Sequence, residues 1–428
     1  MNRRNFVQVM AGVGAVTSFR VPLANAANYR GKLFVFVQAD GGWDPTSFCD
    51  PKANVAGEPV INNWAASGEI RQAGNIRYAP FGKNQAFFEK YYQRILVVNG
   101  VDAQTNSHTV GVTHNWSGRI SDGYPTTTAL LAAHNGTGLS MPYLTFGGFS
   151  YTAGVTVFTR LNNPSEVRNI AKPDLPAGDS TWPPFFSSED WASFTRHRDK
   201  RIARLAAAPN LMPRDARNRE LYAAALSPDA VEGLRAFADT IPNHSELAPV
   251  EEFDVYRSSL KRQAQLTVLS FKAGVAVSAD LRLGGFDTHD NHDPDQNWLL
   301  GNLTDSIDYL WDFAELHGVA DRMVVVMGSD FGRTNKYNSD LGKDHWPIGS
   351  FIIMEKNQGW TNRVIGETDE LHFAYKVDPG TLQRNDAAGT RIHPKHIHKA
   401  LRKYLGVGDT ANSLRFPFNN TEELPLFS

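Results

Sequence analysis

Leu33-Phe34-Val35-Phe36-Val37-Gln38 is a continuous apolar run that stops at Ala39-Asp40-Gly41-Gly42. A strand with one wet face alternates apolar and polar residues. An unbroken run marks a strand covered on both faces, as in a parallel sheet, and the glycines supply a tight turn at its end. Ile95–Asn99 (ILVVN), Ser278–Leu283, Met323–Met327 (MVVVM) and Gly349–Met354 (GSFIIM) repeat the pattern. Between them, Leu260, Ala264, Val268, Phe271 and Val275 recur at helical spacing within Glu251–Ala276, and Leu303, Ile307, Leu310 and Phe313 do so within Asn302–Leu316. Strands alternating with helices predict an α/β fold, a mostly parallel sheet with helices on both faces. The stretch 162–248, with its Pro, Trp182, Phe185, Phe186, Trp191 and helical patches such as Asp190–Leu205, reads as a mostly helical insertion or cap over part of that sheet.

The 428 residues carry 43 Lys and Arg against 45 Asp and Glu, so the clustered cationic excess of a nucleic-acid binder is absent. Cys49 is the one cysteine, which excludes an intrachain disulfide and cysteine-built zinc sites. With 13 histidines present, a metal would be held by His and carboxylates.

The N-terminus has the features of an export leader. Arg3 and Arg4 precede a short apolar run, Val7–Val16, and the small-residue site Ala24-Asn25-Ala26; no acidic residue occurs before Asp40. The run is far below the roughly 20 residues of a membrane span. Arg-Arg-Asn-Phe-Val resembles the twin-arginine signature. Residues 1–26 are therefore expected to be a twin-arginine signal peptide, and 27–428 a single exported, periplasmic or secreted domain.

In parallel α/β sheets, ligands sit beyond the carboxyl ends of the strands. The residues following each expected strand are Asp40; Thr105-Asn106-Ser107-His108, with His114 beyond; Asp287, His289 and His292 in GGFDTHDNH; Asp330-Phe331-Gly332-Arg333; and Lys343-Asp344-His345, ahead of the last strand. Gathered carboxylates must be protonated or neutralised, and a divalent ion held by His and carboxylate does the latter. Such donors suit zinc, manganese or iron. His393-Pro-Lys-His396-Ile-His398 resembles a metal motif but reads as the solvated face of a closing helix. Cys49-Asp-Pro51-Lys52 resembles the sulfatase Cys-x-Pro-x-Arg site but has Ala at position 53 and reads as an ordinary cysteine. There is no Gly-x-Ser-x-Gly elbow, P-loop or dinucleotide fingerprint.

The leader, LFVFVQADGG, Asn106-Ser107-His108, GGFDTHDNH, SDFGRT and GKDHWP resemble the twin-arginine-exported family called domain of unknown function 1501, which is similar to the alkaline phosphatase and sulfatase superfamily. The resemblance implies an alkaline-phosphatase-like fold. It also implies an exported metal-dependent hydrolase of phosphate or sulfate esters, with Ser107 as nucleophile and His108 and Arg333 beside it. Asp40, Asp287, His289, Asp330, Asp344 and His345 are then the candidates for holding one or two ions, zinc or manganese, and Arg333 or Lys343 for orienting the anion. Phe331 stands where the superfamily has a metal-binding His, which leaves open a mononuclear or a degenerate site. The alternative is a non-catalytic exported binding or scaffold protein that keeps the fold. The implied partner is an anionic ester or a glycan, with no nucleic acid and no stable membrane span. In geometry, Asp40, Asp287, Asp330 and His345 are expected to share one ion, His289 to lie nearer it than His292, and Ser107 to sit on the rim at a helix start.

Overall fold

The computed structural model describes residues 29–161, 164–175, 183–207, 212–241 and 259–428. The expected leader, Trp182 and the first residues of the 251–276 helical stretch lie outside them. In chain order the strands are β1 (Leu33–Asp40), β2 (Arg71–Ala73), β3 (Ile76–Tyr78), β4 (Ile95–Asp102), β5 (Tyr143–Thr145), β6 (Thr159–Arg160), β7 (Ser278–Gly284), β8 (Met323–Ser329), β9 (Gly332–Arg333), β10 (His345–Trp346), β11 (Ile348–Met354) and β12 (Arg363–Ile365). Eight of them form one sheet in the order β12-β4-β11-β8-β1-β7-β5-β6.

The unbroken apolar runs are explained by two cores. Leu33, Val35 and Val37 of β1 pack with Val325 and Met327 on one side of the sheet, while Phe34 and Phe36 pack with Val324 and Val326 on the other. Each strand therefore buries both of its faces, and each such side chain contributes about 1.5–3 kcal/mol relative to exposure. Helices Leu260–Lys272 and His292–Leu316 cover the first face, through Leu266, Leu303, Ile307 and Leu310. Helix Pro394–Tyr404 covers the second through Ile397 and Leu401.

Every pairing in this sheet is parallel except those of β11, which runs antiparallel to β4 and β8. GSFIIM is thus the exception among the expected strands. The reason is local: β8 ends at the carboxyl edge, β9 and β10 form a short antiparallel pair there, and Pro347 leads straight into β11. The chain starts β11 at the edge where its neighbours end. That puts His345 at the same edge as the ends of β1, β4, β7 and β8.

In the stretch read as an insertion, helices Pro164–Ala171, Ser188–Ala206, Pro213–Ala225 and Pro228–Thr240 are present. Val167, Leu234 and Phe237 join the core that contains β1, whereas Phe185 and Phe194 are exposed. Among the described residues no helix is long and apolar enough to cross a membrane.

His396 corrects an expectation, for it is buried, as is His398. His396 Nδ1 accepts from the His393 backbone N–H at 2.9 Å, closing the start of the helix, and the His398 ring is held by Thr127 and the Asn115 carbonyl. Burial pushes their pKa values down to about 4 and about 3.

Candidate metal centre

Asp287 sits three residues past Gly284, the last residue of β7, and the first-strand glycines make room for it. Gly41 has φ +116°, and a Cβ there would stand 2.5 Å from the Asp287 backbone nitrogen. Only glycine permits this approach. The ADGG turn therefore serves to admit Asp287 rather than to project Asp40.

Three imidazoles surround the Asp287 carboxylate. His345 Nε2 and His289 Nε2 are each 3.1 Å from Oδ1, and His108 Nε2 is 3.2 Å from Oδ2. His289 Nε2 and His345 Nε2 are 2.9 Å apart. In every ring the other nitrogen faces an oxygen: His345 Nδ1 the Asn106 carbonyl at 2.7 Å, His108 Nδ1 the Asp330 carboxylate at 2.8 Å, and His289 Nδ1 the Asp344 carboxylate at 2.9 Å. A nitrogen facing a carbonyl or carboxylate carries the proton, so in the neutral rings all three Nε2 atoms present lone pairs to one another and to a carboxylate.

Lone pairs converging at these spacings repel unless a positive centre lies among them. His108 Nε2 is buried and makes no hydrogen bond, despite its closeness to Asp287. Donors 2.9–3.2 Å apart match the roughly 3–4 Å edge expected for ligands at about 2.0–2.2 Å from a common ion. Imidazole rings oriented by carboxylate or carbonyl on the far nitrogen are also the usual outer shell of a metal-binding His. The residues present thus fit a divalent ion held by His108, Asp287 and His345, whose donor atoms all lie within 4.8 Å of one another, with His289 beside Asp287 and His345.

Asp287 is half-exposed. Its partial burial opposes ionisation, but the Arg333 guanidinium at 2.7 Å and the neighbouring His108 hold its carboxyl down at about 2. The hydrogen bond to Asp330 raises the basicity of His108. Asp330 itself is buried, and burial raises its pKa. Gln38 Nε2 and the Gly41 N–H also donate to it. His289 and Asn338, donating to Asp344, lower that carboxyl.

Several expected roles change. Asp40 is outside the cluster: it is ion-paired with Arg282, brought beside it by the register that sets Gln38 against Arg282 across β1 and β7. Asp330 and Asp344 reach the cluster through imidazole rings, since their oxygens are engaged by those rings and by amides. Arg333 is fully buried, and its N–H groups go to the Gly41, Gly42 and Lys343 carbonyls and to Asp287. It clamps loops together and has no face for a substrate anion. Lys343 is likewise buried, its ammonium 2.6 Å from Asp44 with His292 3.0 Å from the same oxygen. His292 is therefore engaged in a separate buried network, and His289 is the histidine of that loop beside Asp287.

Phe331 is a buried wall with ring centroids 4.9 Å from His108 and 4.6 Å from His345. Ser107 is exposed and is the N-cap of helix His108–Ser117, adjacent to the Asn106 carbonyl that orients His345. His114 is buried and bonded to the Ala103 carbonyl, and burial lowers its pKa to about 4. The orienting roles of Asn106 and Gln38 carry no signal in the sequence, since a backbone carbonyl and a buried amide have none. Cys49 is buried, its thiol against Ser350 and its pKa pushed up to about 12 by burial.

The loops carrying the histidines are stitched by backbone. Lys343 N–H donates to the Thr288 carbonyl and His292 N–H to the Leu341 carbonyl, both at 3.1 Å, and a Cβ on Gly342 would overlap the His289 carbonyl.

No curated protein sequence matches the chain. Among solved structures it is similar to a sulfatase from Pseudoalteromonas sp. at 12% identity and TM-score 0.41, covering 89% of this chain and 68% of that one. It is similar to the phosphonate monoester hydrolase of Agrobacterium radiobacter at 12% identity and TM-score 0.34, covering 88% and 74%. It is also similar to the lipoteichoic acid synthase LtaP from Listeria monocytogenes at 11% identity and TM-score 0.36, covering 95% and 76%. Residues 254–406, which carry Asp287, His289, Asp330, Asp344 and His345, match the family described as "Protein of unknown function (DUF1501)".

Proposed function

We propose that the protein is an exported, metal-dependent hydrolase of phosphate or sulfate esters. The observation that carries this reading is the convergence of three imidazole Nε2 atoms on one carboxylate at a strand-end edge. His108, Asp287 and His345 would hold a divalent ion, zinc or manganese, with His289 at its side. When bound, it supplies Lewis acidity that polarises an ester oxygen and makes a hydroxyl nucleophilic at neutral pH. Ser107 offers the hydroxyl, exposed at a helix start where backbone N–H groups favour an anion. Asp330, Asp344 and the Asn106 carbonyl fix the three rings, and Phe331 excludes water from one side of them. The ester class rests on the family resemblance, and export on the twin-arginine-like leader.

The buried, fully engaged Arg333 and Lys343 favour a second reading, a non-catalytic binding protein with the same ion, because neither cation is free to grip a substrate. Assays of the purified chain with aryl phosphates, phosphodiesters and sulfates, with zinc or manganese added, separate the two. Turnover lost on Ser107→Ala supports the hydrolase. Bound metal without turnover supports the binding protein, and neither metal nor turnover sinks both.

A further inference from the structure

Helix Ser188–Ala206 packs chiefly along helix Pro213–Ala225, and among its described side chains none is buried. Its half-buried stripe is Trp191, Arg198, Ile202 and Leu205, at i, i+7, i+11 and i+14. A second stripe, Phe194, His197, Arg201 and Arg204 at i, i+3, i+7 and i+10, is exposed throughout. Arg196 and Lys200 are exposed too and, with Arg204, form the adjacent row at i, i+4 and i+8. The 19 residues of the helix span about 28 Å.

The exposed stripe begins at bare aromatic rings. Phe185 is 64% exposed, Phe194 55% and Phe186 38%, and the rings of Phe186 and Phe194 meet with centroids 5.1 Å apart. They lie at the start of the helix, where Ser187 caps it by accepting from the Asp190 N–H. A single exposed hydrophobic residue needs no explanation, but three large rings at one helix end mark a surface that meets something apolar. The cations that follow are unmatched. Asp199 pairs with Arg198 at 3.0 Å and Asp190 accepts from the Ser187 hydroxyl at 2.7 Å, whereas Arg196, Lys200, Arg201 and Arg204 have no carboxylate within ion-pair distance among the described residues. Like charges at i, i+3 and i, i+4 repel one another. An opposing negative surface turns that repulsion into attraction.

The occupant must offer an apolar layer at one end of the helix and negative charge along the rest. A second copy of the chain would set cations against cations. An acidic polymer would meet the cations and leave the phenyl rings in water. A bilayer with anionic headgroups meets both, as it does for helices that lie in the membrane interface with aromatic and basic residues. We propose that this ridge docks the protein on an anionic lipid surface, with Phe185, Phe186 and Phe194 in the headgroup boundary and Arg196, Lys200, Arg201 and Arg204 against lipid phosphates.

The test is flotation of the full chain with vesicles of phosphatidylcholine alone and of its equimolar mixture with phosphatidylglycerol, with poly-glutamate as the lipid-free anion. The chain is expected to bind the mixed vesicles at least about tenfold more tightly than phosphatidylcholine, and to be released by salt. Arg201→Gln with Arg204→Gln, and Phe185→Ser with Phe194→Ser, are each expected to weaken that binding by about tenfold or more. All four side chains are exposed, so both double variants should keep the wild-type melting temperature. Should either not fold, the single changes Arg204→Gln and Phe185→Ser are each expected to lose several-fold. Neither variant touches Arg3 and Arg4 of the basic N-terminus, so vesicle binding that persists at wild-type strength in either one arises elsewhere and overturns the proposal. Absence of binding, or equal binding to the two kinds of vesicle, also overturns it. Poly-glutamate binding that equals vesicle binding and survives the phenylalanine changes overturns the assignment to lipid.

Discussion

His289 and His345 face each other through their Nε2 atoms at 2.9 Å, although they lie 56 residues apart and each has its Nδ1 committed to an oxygen. Two lone pairs held this close call for a cation, which makes the pair a direct test of the centre. His345→Ala and Asp287→Asn are each expected to weaken zinc binding by about 100-fold or more, since each removes a donor from a small set. Asp40→Asn is expected to leave zinc affinity within about threefold, because Arg282 and not the cluster holds that carboxylate. Competition with a chromophoric chelator measures all three.

Asp330 and Asp344 act through rings. Asp330→Asn should reduce zinc affinity by about 10–100-fold by freeing the His108 tautomer, as for other outer-shell partners. Asp344 is exposed, and Asp344→Asn should cost less than Asp330→Asn in the same titration. Equal losses would mean that burial does not set the strength of this support.

The Lys343–Asp44 pair is fully buried at 2.6 Å. Lys343→Met leaves Asp44 facing only His292 and hydroxyl and amide groups, and is expected to cost about 3–5 kcal/mol in urea unfolding at neutral pH. Adding Asp44→Asn should recover much of that loss, because the stranded charge is removed with its partner.

Asp280 of β7 is completely buried against Thr128 and Tyr143, and burial raises its carboxyl to about 7. A raised folded-state pKa means that the folded chain holds its proton where the unfolded chain has lost it. The associated stability is complete below the ordinary carboxylate range and is lost as pH rises towards 7. The wild type is therefore expected to lose melting temperature through this group between about pH 4 and 7, and Asp280→Asn to remove that contribution in a melting series over pH.

The strands with unbroken apolar runs were legible because both of their faces meet a core, and burial on two sides writes itself into every residue. β5, β6 and β12 were not, being two or three residues long and defined by a neighbour's free edge. The site was legible as residue types at strand ends: Asp287, His289, His108 and His345 all meet. What the sequence could not convey was pairing at a distance. Asp40 and Asp287 look alike as strand-end aspartates, and only the register of β1 on β7 gives the first to Arg282. Arg333 looked free because most of its partners are backbone carbonyls, with Asp287 the one carboxylate.

The two loops zipped together around Gly342 carry a consequence for loading. Their backbones are ordered by each other, so the entropy of arranging His289 and His345 is lost when the chain folds and not when an ion arrives. Stripping the ion should then leave an emptied but intact receptacle, one that refills reversibly and chooses its guest by the rigid spacing of its walls.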